Sequence, residues 1–242
     1  AYVVNAEGER KDMPMLYIGE RFGSAAGYKV NEADIVLSAF ENDQCIVNPE
    51  SKGGAIFAVG YSNRGELFNS PDMYGIKTIV GNKYKGAGVT ANQSVTHNLK
   101  LMAEHALKNK CMKATHQDIR SEIQTMKVLT LDRSRHKNLA ETISNLGATT
   151  ILVKDDDLTP TFAAVRNEID LIVGVGGVPE AVLSGIIVEQ LGGEMSLRIL
   201  PKEVALDELL IKKRKNWEYF RKNEIDTLRN FKIVRPGTEK KD

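Results

Sequence analysis

The chain has 242 residues, 27% of them charged and 42% hydrophobic, and its net charge is +1. That balance belongs to a soluble globular protein and sets up no global field that would draw nucleic acid or a membrane surface. The length admits one large domain or two small ones; no apolar run reaches membrane-spanning length, and no signal-peptide pattern stands at the start. Cys45 and Cys111 lie far apart and form no metal or redox spacing. They read as free thiols in a reducing compartment, cytoplasm or an organelle matrix. The chain opens at Ala1, directly in the strand-like Tyr2-Val3-Val4, which reads as a trimmed or processed start.

In chain order, the first twenty residues read as two strands around an acidic turn, Glu7-Gly8-Glu9. A strand over 33–37 follows and runs into the acidic loop Ser38-Ala39-Phe40-Glu41-Asn42-Asp43. Residues 53–60 and 65–74 read as a hairpin with Asn63, Arg64 and Gly65 near its turn. The pattern up to about Gly88 is strand-rich, as in an antiparallel or mixed sheet. From Ser94 the period changes: Leu99, Met102, Ala106 and Leu107 mark one amphipathic helix, Ile119 and Ile123 a second. Three strand–helix units then succeed one another, with strands over 128–131, 150–153 and 171–173. Such alternation predicts βαβ crossovers and a mainly parallel sheet.

Ligands of open α/β sheets sit beyond the carboxyl ends of the strands. Those ends carry Asp132-Arg133-Ser134-Arg135-His136, then Asp155-Asp156-Asp157, then Gly174-Val175-Gly176-Gly177. The last of these is expected as a glycine turn opening a helix, with Pro179 at its first position, Glu180 in its first turn and Gly192-Gly193 as its stop. The spacing excludes a dinucleotide fingerprint, whose last glycine falls on Pro179, and the Walker lysine is absent. A strand–helix turn of this kind is most often plain scaffolding. Here an acid stands where main-chain amides favour an anion, an arrangement that makes sense mainly when a metal bridges the two. After Pro201 the chain is highly charged; the acids around Lys212-Lys213-Arg214-Lys215 cancel its field, so the run reads as a solvated helix face followed by a tail from Gly237.

Taken together and in order, four pieces resemble the class II fructose-1,6-bisphosphatases and their dual-specificity sedoheptulose relatives. They are E-G-E with P-M-L-Y-I-G-E (7–20), S-P-D-M-Y-G-I-K (70–77), R-S-R-H (133–136) and G-V-G-G-V-P-E-A-V-L (174–183). The resemblance implies a layered α/β fold, with a strand-rich N-terminal half and a mainly parallel α/β C-terminal half. It also implies Mg²⁺ or Mn²⁺ and hydrolysis of the 1-phosphate of a sugar bisphosphate. By the same resemblance Glu7, Glu41 and Glu180 are metal ligands. Tyr74, Arg133, Arg135 and Gly177 contact the sugar phosphate, and Asp155 and Asp157 stand in the sugar-binding loop. Glu41 and Asp43 occupy the catalytic loop after the third strand.

The departures are specific. Where that loop reads D-P-hydrophobic-E-G-T in the family, Ser38 replaces the bridging Asp, Asn42 the Gly, and Asp43 the Thr that orients water. The family's D-G-D is here Asp155-Asp156-Asp157, and a further metal Asp belongs to an N-terminal segment not found in this chain. Two readings therefore stand side by side: a sugar-bisphosphatase with a degenerate metal site and doubtful turnover, or a non-catalytic pseudo-phosphatase that binds sugar phosphate or fills a place in a homo- or hetero-oligomer. Neither calls for nucleic acid or a membrane. The expected division is a metal-site unit over 1–93, a substrate-binding unit over 94–202, and a charged helix and tail over 203–242.

Overall fold

The computed structural model describes residues 1–6, 18–21, 23, 32–41, 54–69, 74–112, 114–154, 156 and 158–200. Among these residues, eight strands and five α-helices alternate in layers. Strands β1 (Tyr2–Ala6), β2 (Ala33–Glu41) and β3 (Ile56–Asn63) form a mixed sheet, with β1 parallel and β3 antiparallel to β2. A second sheet has the order β6-β5-β7-β4-β8. Its members are β4 (Tyr74–Val80), β5 (Lys127–Leu131), β6 (Thr149–Val153), β7 (Leu171–Gly177) and β8 (Glu194–Ile199). Strands β5, β6 and β7 are parallel, as the alternation requires; β4 runs against both of its neighbours, β7 and β8.

Helix α1 (Val95–Asn109) starts where Ser94 Oγ accepts the His97 N–H at 3.2 Å. It buries the stripe Leu99, Met102, Ala103 and Ala106 against Val80, Val128, Leu171 and Val173 of the second sheet. Helix α2 (His116–Gln124) opens with a capping box between Thr115 and Asp118 and adds Ile123 to the same core. Helix α3 (Lys137–Asn145) adds Ile143. The other face of this sheet carries α4 (Thr159–Val165) and α5 (Val178–Leu191), with Ala164 and Val188 packed on Ile79, Leu129 and Ile172.

Helix α5 is apolar all round because both its sides are covered. Opposite the second sheet, Val178, Val182 and Leu183 meet Val36 of the first. The two layers approach so closely that a Cβ on Gly60 would stand 3.3 Å from Leu183 Cδ2 and collide with Ile186 Cδ1. Among the described residues no helix is long and apolar enough to cross a membrane.

Three sequence expectations are corrected. Strand β2 does not stop at Leu37 but runs on through Ser38–Glu41 of the expected acidic loop, held by pairing with β3. Residues 53–74 do not form a hairpin: β3 pairs with β2, and Tyr74 opens β4 in the other sheet. The turn signal at Asn63-Arg64-Gly65 serves a different partner, since Arg64 Nη1 (2.6 Å) and Gly65 N (2.7 Å) both donate to the buried Asp34 carboxylate on β2. Nor is Gly174–Gly177 a turn. Strand β7 runs through all four residues and α5 begins at once with Val178, so Pro179 is its second residue. The glycines serve close approach rather than reversal: a Cβ on Gly174 would lie 3.1 Å from both His136 Cε1 and Thr130 Oγ1.

Candidate functional site

The site lies where β4 begins and β7 ends. Tyr74, first in β4, pairs with Gly177, last in β7. The Tyr74 carbonyl accepts the Leu200 N–H at 3.0 Å, on the β8 side. Antiparallel pairs alternate, so Tyr74 and Gly177 form a pair that exchanges no main-chain bonds, and the Gly177 amide faces the opposite edge of β7.

That edge is lined by the segment after β5. Strand β5 pairs with β7 only at Val128–Leu171 and Leu129–Ile172. Beyond, the chain turns through Asp132 and Arg133 into a short 3₁₀ turn, Ser134–His136, and on into α3. Side chains then take over the ladder. His136 Nε2 accepts the Val175 N–H at 2.8 Å, while Arg135 Nε (3.2 Å) and Nη2 (2.8 Å) donate to the Val175 carbonyl. Because Nε2 accepts, the proton of this buried imidazole sits on Nδ1, which donates to the Leu131 carbonyl at 2.9 Å. The Arg135 guanidinium also stands 5.8 Å from the Tyr74 ring centroid. Between the diverging strands is a cavity of about 10 Å³ bordered by Lys77, Thr130, Gly174 and Val175, and Lys77 itself is buried.

Glu180, third in α5, folds back on the residue that precedes its helix. A Cβ on Gly177 would lie 2.6 Å from Glu180 Cδ, so only glycine leaves room for this carboxylate. Tyr74, Arg135, Gly177 and Glu180 are thus brought to one edge. Arg133 is exposed, two residues from Arg135.

Glu41 closes β2, buried, after a register shift that begins at the fully buried Ser38. The parallel pair Ala6–Leu37 directs the end of β1 the same way, and Glu7 is the next residue in sequence. Glu7, Asp43, Asp155 and Asp157 lie outside the described residues. Asp156 is described, with φ +83°, the left-handed region that favours glycine. Its Oδ1 accepts the N–H groups of Leu158 (2.9 Å) and Thr159 (2.8 Å), supplying the start of α4.

Among the described residues no group of three His, Cys, Asp or Glu side chains is placed to hold a metal ion. Glu41 and Glu180, the buried members of the expected ligand set, are oxygen donors of the kind hard divalent cations take. Sequence reasoning missed His136 and Lys77. A histidine ending R-S-R-H just before a helix was the available signal for the first; a lone lysine within an apolar strand was the signal for the second.

A carboxylate, a tyrosine and an arginine gather on the carboxyl edge of the second sheet of this mixed α/β protein. The family is more specific than that. The bacterial, glpX-encoded fructose-1,6-bisphosphatase family matches residues 1–234, and the chain belongs to it. Similar proteins include a class 2 fructose-1,6-bisphosphatase of Haemophilus influenzae, 29% identical over 204 residues, covering 84% of this chain and 56% of the relative. A class 2 D-fructose 1,6-bisphosphatase/sedoheptulose 1,7-bisphosphatase of Crocosphaera subtropica is 31% identical over 209 residues (82% and 56%). The class 2 fructose-1,6-bisphosphatase 1 of Escherichia coli K12 is 30% identical over 202 residues (83% and 54%). The chain therefore spans a little over half the length of these relatives.

Proposed function

We propose that this chain forms the sugar-phosphate and metal-binding part of a class II fructose-1,6-bisphosphatase-like hydrolase, acting on the 1-phosphate of a sugar bisphosphate. The observation that carries the reading is the gathering of Tyr74, Arg135, Gly177 and Glu180 at one sheet edge. In that reaction water adds to phosphorus, the bond from phosphorus to the sugar oxygen breaks, and inorganic phosphate and a sugar monophosphate leave. Glu7, Glu41 and Glu180 would hold Mg²⁺ or Mn²⁺, with Asp43 nearby in sequence. Such a cation supplies positive charge to the phosphoryl oxygens when bound. Arg133 and Arg135 hold phosphate by charge, and Asp155 and Asp157 accept from sugar hydroxyls.

One observation favours a second reading. Ser38, buried where the resemblance expects a bridging aspartate, is neutral and lowers the charge available to a cation cluster. On that reading the chain binds sugar phosphate without turning it over, as a subunit of a larger assembly.

Phosphate release from fructose 1,6-bisphosphate with Mn²⁺, compared with a Glu180→Gln control, tests both. Hydrolysis that disappears in the control supports the enzyme. Absent release, with a ligand-induced rise in melting temperature, supports the second reading. Neither release nor a rise removes both.

A further inference from the structure

We propose that His136 is a positioning residue of the anion site: its neutral imidazole fixes the main chain of β7 at Val175 and thereby the direction of the Gly177 amide. The inference rests on the sugar-phosphate reading above for its ligand, and on geometry alone for the rest.

A parallel strand normally has its edge groups taken by its neighbour. Here β5 stops bonding β7 after Leu129–Ile172, three residues short of Val175. A buried main-chain N–H left without a partner is costly, and a mobile one gives no fixed site. His136 supplies the acceptor at 2.8 Å and is itself fixed by Leu131 at 2.9 Å, the last residue of β5. The imidazole is therefore a rigid bridge from the end of one strand to the edge of the next. Gly174 contributes by lacking a side chain, since a Cβ there would lie 3.1 Å from the ring.

Main-chain amides alternate along a strand, so the group two residues beyond Val175 that shares its edge is the Gly177 amide. Gly176, between them, pairs with Gly75 on the other side. Two glycines in succession give β7 little stiffness of its own, so the hold at Val175 decides where Gly177 points. Arg135 grips the Val175 carbonyl, but through a long side chain that also leans on Tyr74. His136 is the short, buried member of the pair.

Three measurements test this. In the wild-type protein near neutral pH, nitrogen-15 spectra of the His136 ring should show the Nδ1–H tautomer; an Nε2–H or doubly protonated ring would overturn the proposal. Amide exchange without ligand should be at least tenfold faster at Val175 and Gly177 in His136→Leu, with Leu171–Val173 unchanged. His136→Gln, whose amide oxygen can accept the same N–H, should stay within about threefold of wild type. Equal rates in both variants, or loss of protection along the whole of β7, would reduce His136 to a packing residue. If His136→Leu does not fold, the wild-type ring state and the His136→Gln exchange rates still decide the matter, and a His136→Gln protein that loses protection overturns it. Finally, the fructose 1,6-bisphosphate dissociation constant should rise at least tenfold in His136→Leu and remain near wild type in His136→Gln; unchanged binding in both sinks the link to the site. A wild-type protein that binds no fructose 1,6-bisphosphate, yet shows the exchange pattern, overturns the sugar-phosphate reading and leaves the positioning of β7 standing.

Discussion

The carboxylate of Glu180 is folded back against the α-carbon of Gly177, three residues before it, where a Cβ would meet Glu180 Oε1 and Cδ at 2.6 Å. Gly177 has an ordinary extended φ of −70°, so its role is space, not conformation. Gly177→Ala should therefore displace a side-chain end and leave the backbone in place. The expected loss of stability is about 1 kcal/mol, while Mn²⁺ affinity should fall at least tenfold. Gly81→Ala is the contrast, because its Cβ would collide with the Ala164 carbonyl and stand 2.5 Å from Asn167 Oδ1. With main chain unable to yield, about 2 kcal/mol or more should be lost, and Mn²⁺ affinity should not change. Chemical denaturation and calorimetric titration of both variants measure the two effects. Equal Mn²⁺ affinity in Gly177→Ala and wild type would mean that Glu180 does not serve a cation.

Arg135 joins Val175 to Tyr74, and the join depends on a planar fork with two donors on one carbonyl. A lysine offers a point charge and no fork. Arg135→Lys should therefore weaken fructose 1,6-bisphosphate binding almost as much as Arg135→Ala, by about tenfold, if one bidentate contact worth ~1.4 kcal/mol is lost. Full retention by Arg135→Lys in a binding titration would show that charge alone is what the site uses.

Much of this architecture was legible because apolar spacing reports burial directly. Leu99, Met102, Ala106 and Leu107 fall on one face of α1 and are all buried. The apolar runs of β5, β6 and β7 became three parallel neighbours. Pairing was less legible, since period-2 patterns say nothing of partners. The insertion of β4 between β7 and β8 has no local signal, and the turn residues Arg64-Gly65 were claimed by Asp34 across the sheet. At the site, the run Gly174–Gly177 suggests a turn, but it continues a strand, because close approach of neighbouring side chains can demand glycine as much as a reversal does. The charges of R-S-R-H drew attention to the arginines, and only the folded geometry reveals that His136 finishes the β7 ladder.

Asp156 occupies the place where the resemblance expects the glycine of D-G-D, and it keeps a positive φ of 83°. Left-handed backbone costs an ordinary L-residue about 1 kcal/mol. Its carboxylate offsets that by capping Leu158 and Thr159, a contribution of about 1 kcal/mol. Asp156→Gly should thus be nearly neutral, Asp156→Asn likewise, and Asp156→Ala, which keeps the backbone cost and loses the cap, should lose about 1 kcal/mol. Urea unfolding of the three variants checks the order; an alanine variant as stable as glycine would mean the turn is not held by this side chain.

At the far end of the second sheet, Lys83 Nζ lies 2.9 Å from Asp170 Oδ1 and 4.7 Å from the Tyr84 ring centroid, and Asp170 Oδ2 accepts the Lys127 N–H at 2.8 Å. Burial alone would lower the affinity of Lys83 for its proton, but contacts with Tyr84 and Asp170 outweigh it and hold the ammonium up to about 12. Burial pushes the Tyr84 phenol up to about 12 as well. Both groups bind their protons more tightly folded than unfolded, so stability from them is fully present below pH 10 and falls as pH rises through the window from 10 to about 12. The wild-type protein should accordingly lose stability steeply across that window. Tyr84→Phe removes one of the two linked protons and should flatten the decline. Asp170→Asn keeps an acceptor for Lys127 but removes the charge facing Lys83; it should cost about 1 kcal/mol near neutrality and also flatten the slope. Denaturant midpoints measured from pH 8 to 12 in the three proteins decide the matter, and parallel curves would show that this cluster contributes nothing to alkaline unfolding.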